Sequence, residues 1–407
     1  MKSLLKDIVV SILSFEAQWV LARARPTVIA VTGTVGKTGT KDAIAAALVA
    51  FATVRKSEKS YNSELGIPLA ILGERNQWGN PFGWFGVFFR GLFSASKIDF
   101  LVLEVGTDKP GDIRAITRWL RPHAVVVTRL SRTPVHVENF KSVGELIAEK
   151  RSLVESVREY GTLILNADDA DVLAFRALAP HKERVISFGY SESADIRASE
   201  FGARIATKGA LGAAPIYAGL AALAVAGTFG FDLERAARAI AERTPAPGRM
   251  RLLAGARGAQ IIDDSYNSSP VAVAEALRTL ADFNMQVNPS TGARGKKFAV
   301  LGDMLELGEF SSAEHEKMVR EAVQIADAVF LVGERAQSTG ILSPKIQNFG
   351  DARAAGEALA TALRDGDVAL IKGSQGMRME RAVALCLRDQ SLASTLLVRQ
   401  EKEWLKR

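Results

Sequence analysis

Short apolar runs alternate with helical stretches along most of this 407-residue chain, and that alternation limits the fold more than any other feature. The first runs are "TVIAVT", "IDFLVLEV", "HAVVVT", "GTLILN" and "RVISF". Helical patterns lie between several of them, as over residues 37–51 and 142–158. Because strands that alternate with helices form parallel sheets covered on both faces, we expect an α/β fold with a mostly parallel sheet.

A Pro/Gly-rich stretch, "TPAPGRM", separates this series from a second one, and two helices around residues 213–230 and 233–243 lead into it. The second series has the runs "QIIDDS", "KFAVLGD", "DAVFLVG" and "DVALIKG". We therefore expect three parts: an amphipathic helix in residues 1–26, a central α/β domain in 27–247 and a smaller, Rossmann-like α/β domain in 248–407.

Composition narrows the class of protein. Hydrophobic residues make up 48% and charged residues 24%, which is typical of a soluble globular protein. The single cysteine, Cys386, excludes an intramolecular disulfide framework, and its apolar helical surroundings predict a buried thiol in a reducing cytoplasm. The net charge is +7 but the basic residues are scattered, so we expect no nucleic-acid partner.

Two apolar segments leave alternatives open. In residues 1–26 the longest charge-free apolar run, 8–15, is shorter than the roughly 20 residues of a spanning helix. A helical face there contains Leu5, Ile8, Val9, Ile12, Trp19 and Val20, with Glu16 inside the stripe and in need of a partner. This helix either packs on the next domain or lies on a membrane surface. The aromatic stretch 76–96 is either a buried flap or an exposed patch for lipid or a partner.

The stretch "VTGTVGKT" has the features of a phosphate-binding loop. A strand ends at Thr32, and a helix starts near Lys37. Backbone N–H groups from Gly33, Thr34 and Gly36 onward would meet phosphate oxygens at a helix N-terminus. Lys37 would neutralise the β- and γ-phosphates, and the Thr38 hydroxyl would bind Mg²⁺. The spacing lacks the glycine that the usual P-loop has at Val31.

Three more residues are candidates for the chemistry. Glu104 ends the strand "FLVLEV", where ligands of parallel sheets collect, and Mg²⁺ prefers such oxygen ligands. His136, in "TPVHVENF", is either a second metal ligand or proton carrier, or a structural histidine. Lys150 alone would be a solvated helix lysine.

Together these residues resemble the Mur ligases. The segment "VIAVTGTVGKTGTK" is similar to the family's shortened ATP loop, so the missing glycine fits. Further blocks follow in the family's order over residues 28–380: "YNSELGIPLAIL", "VLEVGTDKPGDI", "HVEN", "IAEKRSLVESVREYGTLILNADD", "PGRM", "IIDDSYNSSP", "VLGDMLELG" and "IKGSQGMRME". The blocks "DDSYNSSP" and "GDMLELG" are particular to the branch that adds D-alanyl-D-alanine.

The resemblance implies an ATP-dependent, amide-forming ligase of peptidoglycan precursor synthesis, with a P-loop ATPase central domain. The γ-phosphate of ATP would pass to a muramoyl-peptide carboxylate, and D-alanyl-D-alanine or a similar amine would attack the acyl phosphate. Thr38 and Glu104 would hold one Mg²⁺ ion. His136 and a carbamylated Lys150 would hold a second one.

The resemblance also implies roles in binding. Arg249 and Asp264 would reach ATP from the C-terminal domain, with Asp264 at the ribose and Tyr266 and Asn267 near the base. Asn62 and Ser63 would bind the acceptor substrate. We expect a cytoplasmic monomer, with peripheral contact to the inner membrane face through residues 1–25 and 76–96.

The chain departs from the family pattern at several places. The family's N-terminal UDP-sugar-binding domain is not found before residue 27, "GAAPIYAG" replaces an H-N-x-x-N pair near the adenine, and Ser63 replaces an asparagine. The aromatic stretch 76–96 looks like an insertion. Alternatives are a ligase with another acceptor, either a lipid-linked wall precursor or a folate, and a non-catalytic ATP-binding scaffold.

Overall fold

A computed structural model describes residues 2–58, 64–75, 77, 83–84, 86–88, 97–131, 137–285 and 294–405 of the chain. The contacts divide the chain into two compact units. The first unit comprises Met1–Arg132, Asn139–Ala206 and Ala214–Arg243, and the second comprises Thr133–Glu138, Thr207–Ala213 and Thr244–Arg407.

The first unit contains a parallel sheet of seven strands among the described residues, in the order β2-β3-β1-β4-β5-β6-β7. The strands are β1 (Thr27–Thr32), β2 (Val54–Lys56), β3 (Phe100–Glu104), β4 (Ala124–Val127), β5 (Thr162–Asn166), β6 (Val185–Gly189) and β7 (Ile196–Arg197). The five predicted runs of this region are β1 and β3 to β6, and the predicted parallel α/β fold is confirmed. The short edge strands β2 and β7 were not predicted.

Helices cover both faces of this sheet. They are α1 (Lys2–Ala24), α2 (Lys37–Val49), α3 (Gly66–Leu72), α4 (Asp112–Thr117), α5 (Val143–Glu155), α6 (Ala170–Leu173), α7 (Ala198–Phe201), α8 (Ala213–Thr228) and α9 (Leu233–Ala241). Because strand side chains alternate between faces, Val28 and Ala30 join a core cluster with α1 and α3. Ile29 and Val31 join the cluster with α2, α8 and α9. Both faces of β1 are therefore packed in the hydrophobic core.

Within its described residues, the second unit contains a six-stranded sheet in the order β12-β11-β10-β13-β9-β8, in which only the edge strand β8 is antiparallel. Its strands are β8 (Arg251–Ala254), β9 (Gln260–Asp264), β10 (Lys297–Gly302), β11 (Ala328–Val332), β12 (Ile346–Phe349) and β13 (Val368–Lys372). Its helices are α10 (Pro270–Asp282), α11 (Ser311–Ile325), α12 (Glu334–Gln337), α13 (Ala352–Ala362), α14 (Glu380–Cys386), α15 (Ala393–Leu396) and α16 (Lys402–Leu405). Cys386 is fully buried, as predicted, and burial raises the pKa of its thiol to about 12.

Helix α1 forms as predicted, but its faces differ from the prediction. Leu13, Ala17 and Val20 are buried in the core, whereas Ile8, Ile12, Phe15 and Trp19 are exposed. The predicted single face was wrong because it lies across the boundary between the two sides: at about 100° per residue, Val20 falls beside the buried Leu13 and Ala17, whereas Ile8, Ile12 and Trp19 fall beside the exposed Phe15. The inner side was hard to recognise because it includes the small Ala17 and the carboxyl of Glu16.

Glu16 is the polar residue on the inner side of α1. Its side chain is buried, and Oε2 has no hydrogen-bond partner among the described residues. Burial raises the pKa of the Glu16 carboxyl to about 7. The partner that the sequence asks for is therefore not supplied to this oxygen by the described part of the first unit.

The other predicted apolar segment, residues 76–96, is described only in part. Most of the aromatic stretch 76–96 lies outside the described residues; of its described members, Val87 is buried and Trp84 and Phe88 pack against the first core cluster. Within the described part of the chain, none of the helices is both long enough and apolar enough to cross a bilayer.

Candidate active site

The phosphate loop joins the end of β1 to the start of α2, as predicted. Gly33 has a φ of 141° and Gly36 a φ of 87°, values that favour glycine. A Cβ atom at Gly33 would lie 2.1 Å from the hydroxyl oxygen of Thr128, so no other residue fits there without displacing Thr128. The loop thus reaches the N-terminus of α2, where backbone N–H groups and the helix dipole favour an anion.

The loop that follows β4 holds the phosphate loop from outside. The Thr128 hydroxyl lies 3.2 Å from the carbonyl oxygen of Thr32 and 2.6 Å from that of Val35, within donating distance of both. The Thr34 amide donates to the Arg129 carbonyl at 2.6 Å. Thr128 was not predicted as a site residue; its only signal in the sequence is a hydroxyl at the end of the run "HAVVVT".

Asp169 supports this second loop. One carboxylate oxygen accepts from the Leu130 amide at 2.8 Å, and the other caps α6 by accepting from the Val172 amide at 3.1 Å. The "NADD" block of the sequence therefore has a structural role next to the phosphate loop. Asp169 holds the loop after β4 in place, and that loop in turn holds the phosphate loop.

Lys37 and Thr38 are the first two residues of α2, directly after the phosphate loop. The Lys37 ammonium donates to the carbonyls of Gly33 at 3.0 Å and Thr34 at 3.3 Å, so it curls over the loop. Thr38 is buried in the first helical turn. Both predicted residues therefore lie in the first turn of α2, next to the phosphate loop.

Glu104 ends β3 next to the phosphate loop. It pairs in register with Val31 of β1, and its amide donates to the Ser57 hydroxyl at 3.1 Å. Its side chain is 2% exposed, and Oε2 has no hydrogen-bond partner among the described residues; neither has the buried hydroxyl of Thr32. Buried oxygens without partners are rare in proteins.

Those two oxygens fit a hard cation. Mg²⁺ takes oxygen ligands, is bound by one or two carboxylates, and completes its coordination with water and phosphate oxygens. No group of three or more His, Cys, Asp or Glu side chains able to hold a metal occurs among the described residues. A cation at this place would therefore rely on Glu104, hydroxyls such as that of Thr38, and a bound phosphate.

Lys150 lies on α5 with a nearly buried amine. Burial, and after it the nearby ammonium of Lys37, lower the pKa of the Lys150 ammonium to about 7, although Glu149 opposes the shift. The two lysines are therefore near enough to repel each other. Glu149 is occupied elsewhere: its oxygens accept from the amides of Gly111 at 2.9 Å and Ile113 at 3.1 Å.

Lys41, one turn after Lys37, was missed by the sequence analysis. It is 1% exposed, donates to the Ser57 carbonyl at 2.8 Å and pairs with Asp42 at 3.4 Å. Burial lowers the pKa of its ammonium, and the carboxylates of Asp42 and Glu104 offset part of that effect. A buried cation thus lies behind Glu104. A lysine on a helix gives no sign of burial in the sequence.

The second unit brings together Asp264 and Asn267, which follow from the "IIDDSYN" block. Asp264 accepts from the Met250 amide at 3.1 Å and pairs with the Lys372 ammonium at 2.5 Å. Lys372 also donates to the Asn267 carbonyl at 2.9 Å. The Asn267 side-chain oxygen accepts from the Gln375 amide at 3.3 Å. Lys372 was quoted in a sequence block but not singled out.

Arg249 and Tyr266 form the adjoining part of this cluster. The Arg249 guanidinium lies 4.0 Å from the centre of the Tyr266 ring, a cation–π contact. Arg399 approaches the same ring at 5.4 Å and donates to the Tyr266 carbonyl. The Arg399 guanidinium also pairs with Glu380 at 2.8 Å. The four residues predicted to reach ATP from this domain are therefore neighbours within one charged cluster.

Three predicted site residues lie outside the described residues: His136, Asn62 and Ser63. Their roles stay predictions.

Two family models match the chain. The Mur ligase middle domain matches residues 31–213, and the Mur ligase glutamate ligase domain matches residues 248–375. The chain belongs to the Mur ligase family. The first match includes the phosphate loop, Glu104 and Lys150, and the second includes Asp264 and Lys372.

Individual Mur ligases resemble the chain over most of its length. The UDP-N-acetylmuramoyl-tripeptide--D-alanyl-D-alanine ligase of Mycobacterium leprae is 29% identical, over 86% of this chain and 71% of the relative. The enzyme of the same name from Bacillus subtilis is 27% identical, over 88% and 75%. The crystal structure of the MurF ligase from Thermotoga maritima in complex with ADP has a TM-score of 0.74 and 25% identity, over 93% of this chain and 83% of that one.

Proposed function

We propose that this chain is an ATP-dependent ligase that joins D-alanyl-D-alanine, or a similar amine, to the carboxylate of a muramoyl-peptide precursor. The observation that carries the proposal is the unpartnered oxygen of Glu104 beside a rigidly held phosphate loop. Relatives with this substrate in their names support the choice of acceptor and amine.

The reaction has two covalent steps. A carboxylate oxygen takes the γ-phosphoryl group, which breaks the bond to ADP and forms an acyl phosphate. The amine then attacks the acyl carbon, a C–N bond forms, phosphate leaves and the amine loses a proton. Activation is needed because a carboxylate oxygen is a poor leaving group until it carries phosphate.

The first unit provides the residues for phosphoryl transfer. The loop amides from Gly33 to Thr38 would bind the phosphates, and Lys37 would turn from the loop carbonyls toward them. Thr38 and Glu104 would hold Mg²⁺, which when bound screens the charges of ATP and of the carboxylate. Exclusion of water would protect the acyl phosphate from hydrolysis.

Lys150 would hold a second Mg²⁺ as a carbamate, together with His136. Carbamylation needs a neutral amine, whose nitrogen bonds to the carbon of CO₂ while a proton is lost. The pKa of about 7 leaves about half of the amine neutral at pH 7. The modification would also turn a cation near Lys37 into an anion, which removes their repulsion.

The other predicted residues bind substrates. Arg249, Asp264, Tyr266 and Asn267 would contact the nucleotide, and Asn62 and Ser63 the muramoyl peptide. We also propose that the enzyme is a cytoplasmic monomer in peripheral contact with the inner membrane face through residues 1–25 and 76–96.

A phosphate-release assay tests the ligase proposal. Wild type with ATP, Mg²⁺, UDP-N-acetylmuramoyl tripeptide and D-alanyl-D-alanine should release phosphate, and Lys37→Ala should lower the rate by on the order of 10³. Lys150→Ala should be similarly impaired. Lys56→Ala is the matched control, because Lys56 is an exposed lysine of the same region that pairs with Asp42 at 2.6 Å.

The panel of acceptors decides between the alternatives. Phosphate release with a lipid-linked muramoyl peptide alone, or with a reduced folate and glutamate, would replace the acceptor in the proposal. If no combination exceeds the Lys37→Ala background, the ligase proposal is wrong and the non-catalytic ATP-binding scaffold is the alternative that remains.

A further inference from the structure

The outer face of α1 is an apolar stripe. Ile8, Ile12, Phe15 and Trp19 are 48%, 41%, 69% and 39% exposed. Their spacing of four, three and four residues places them along one line of the helix. Single exposed apolar residues are ordinary, but a contiguous row of large ones marks an interaction surface.

The stripe is not a consequence of a loosely placed helix. Leu13 and Ala17 are fully buried and Val20 is 3% exposed, and all three belong to the core cluster that also contains β1 and α3 residues. Because the inner face is fixed in this core, α1 cannot bury the outer face by turning. The stripe needs a partner outside the described part of the first unit.

The charges around the stripe indicate the kind of partner. Among residues 8–25, the only acidic one is Glu16, which is buried, whereas Arg23 and Arg25 are both exposed. The Arg23 guanidinium lies 5.3 Å from the centre of the Trp19 ring. An apolar row that ends in tryptophan and arginine matches a lipid interface, where aromatic rings lie at headgroup depth and guanidinium groups meet anionic headgroups.

A second copy of the chain fits the stripe less well. Parallel pairing of two α1 helices would bring the Arg23 and Arg25 groups of both copies together. Antiparallel pairing would set them against a helix start whose sequence has two lysines and one aspartate. Neither arrangement offers the arginines a surplus of negative charge, whereas an anionic bilayer does.

We propose that the outer face of α1 docks flat on an anionic lipid surface, with Ile8, Ile12, Phe15 and Trp19 in the interface and Arg23 at the headgroups. The inference rests on the membrane contact proposed above and names the face that makes it. It requires none of the ligase chemistry.

Vesicle co-sedimentation of the full chain tests this surface. Wild type should pellet with vesicles of phosphatidylglycerol and phosphatidylcholine but not with phosphatidylcholine alone. Phe15→Ser/Trp19→Ser should lower the binding constant at least about tenfold. The control is Leu342→Ser/Leu392→Ser, which removes two exposed leucines of the second unit and should bind like wild type. Arg23→Gln, which leaves the apolar row intact, should weaken binding about fivefold.

Several results would overturn the proposal. They are no binding of wild type to anionic vesicles, equal binding of Phe15→Ser/Trp19→Ser, or a wild-type dimer that this variant disperses while vesicles bind neither protein. Thermal unfolding of each variant checks that the fold is kept. If vesicles bind but no acceptor supports phosphate release, the ligase proposal fails and the lipid surface stands.

Discussion

The phosphate loop of the first unit and the Asp264 cluster of the second unit treat buried charge differently. Beside the loop, Glu104 and Thr32 each have a buried oxygen without a hydrogen-bond partner among the described residues. In the cluster, the Asp264 carboxylate is paired with Lys372 and accepts from a backbone amide. The first arrangement leaves buried oxygens for a ligand to satisfy, whereas in the second the carboxylate proposed to meet the nucleotide is already held by protein partners.

The difference predicts different consequences of substitution. A buried polar atom without a partner costs about 1–3 kcal/mol, so the loop of the first unit carries a cost that a ligand can relieve. A buried ion pair contributes little net stability while intact, but loss of one partner strands the other charge. Removal of a charge should therefore affect activity in the first unit and stability in the second.

Lys372→Met should produce the largest loss of stability. It strands the Asp264 carboxylate and removes the donor to the Asn267 carbonyl, so the free energy of unfolding of the second unit should fall by about 3–5 kcal/mol. Hydrogen exchange of the amides in β9 and β13 measures it. The control is Arg353→Met, which breaks an exposed pair with Glu357 and should cost less than about 1 kcal/mol. An equal loss in the free energy of unfolding for both variants would mean that Lys372 and Asp264 do not form a buried ion pair.

Glu104→Gln should reduce activity and largely spare stability. The change removes the charge that would hold Mg²⁺, so phosphate release should fall by about 10²–10³ and half-maximal activity should require more Mg²⁺. The free energy of unfolding should change by no more than about 1 kcal/mol. The matched control is Glu380→Gln, because that carboxylate is equally buried but paired with Arg399. A Glu104→Gln variant that keeps its activity but loses stability would contradict the expected difference between the two units.

Glu16 is a third case, a buried carboxyl in an apolar core. Its folded-state pKa of about 7 lies above the ordinary 4.5, so folding favours the protonated form. This contribution to stability is complete below pH 4.5 and is lost as the pH rises through 7. We expect a loss of about 2 kcal/mol between pH 5 and pH 8 in wild type.

In Glu16→Gln this part of the pH dependence should disappear. Urea unfolding at pH 5 and pH 8 measures this pH dependence of the free energy of unfolding. Hydrogen exchange of amides in β1 and β3 follows the opening of the first unit. Glu192→Gln, at a side chain that is 80% exposed, should retain the wild-type profile. A wild-type profile in Glu16→Gln would show that other groups set the pH dependence.

Much of the fold could be predicted from the sequence because long β-branched runs have few alternatives. The runs that became β1, β3 to β6, β9 to β11 and β13 were all found. The strands β2, with sequence "VRK", and β7, with "IR", were too short and too polar to stand out. Strand β8 is antiparallel to β9 because residues 255–259 are too few for a crossover connection.

The site was predicted less evenly. Lys37, Thr38 and Glu104 follow from the loop and from the end of a strand, and both are local features. Thr128 and Lys41 act through contacts between segments far apart in the chain, with Thr128 meeting Val35 across 93 residues. Asp264 was predicted, but its partner Lys372 lies 108 residues away. Such pairings depend on the order of strands in a sheet, which the residue types alone do not specify.

The contact between Gly33 and Thr128 has a consequence for the history of the chain. A larger residue at position 33 would need a smaller one at 128, yet loss of the Thr128 hydroxyl would release the carbonyls of Thr32 and Val35. Either change alone is harmful, and the double change relieves the clash but still lacks the hydroxyl that holds the two carbonyls. We therefore expect the two positions to evolve together: substitutions can reshape the surfaces of this protein, but at this pair they must keep glycine at position 33 and a hydroxyl at position 128.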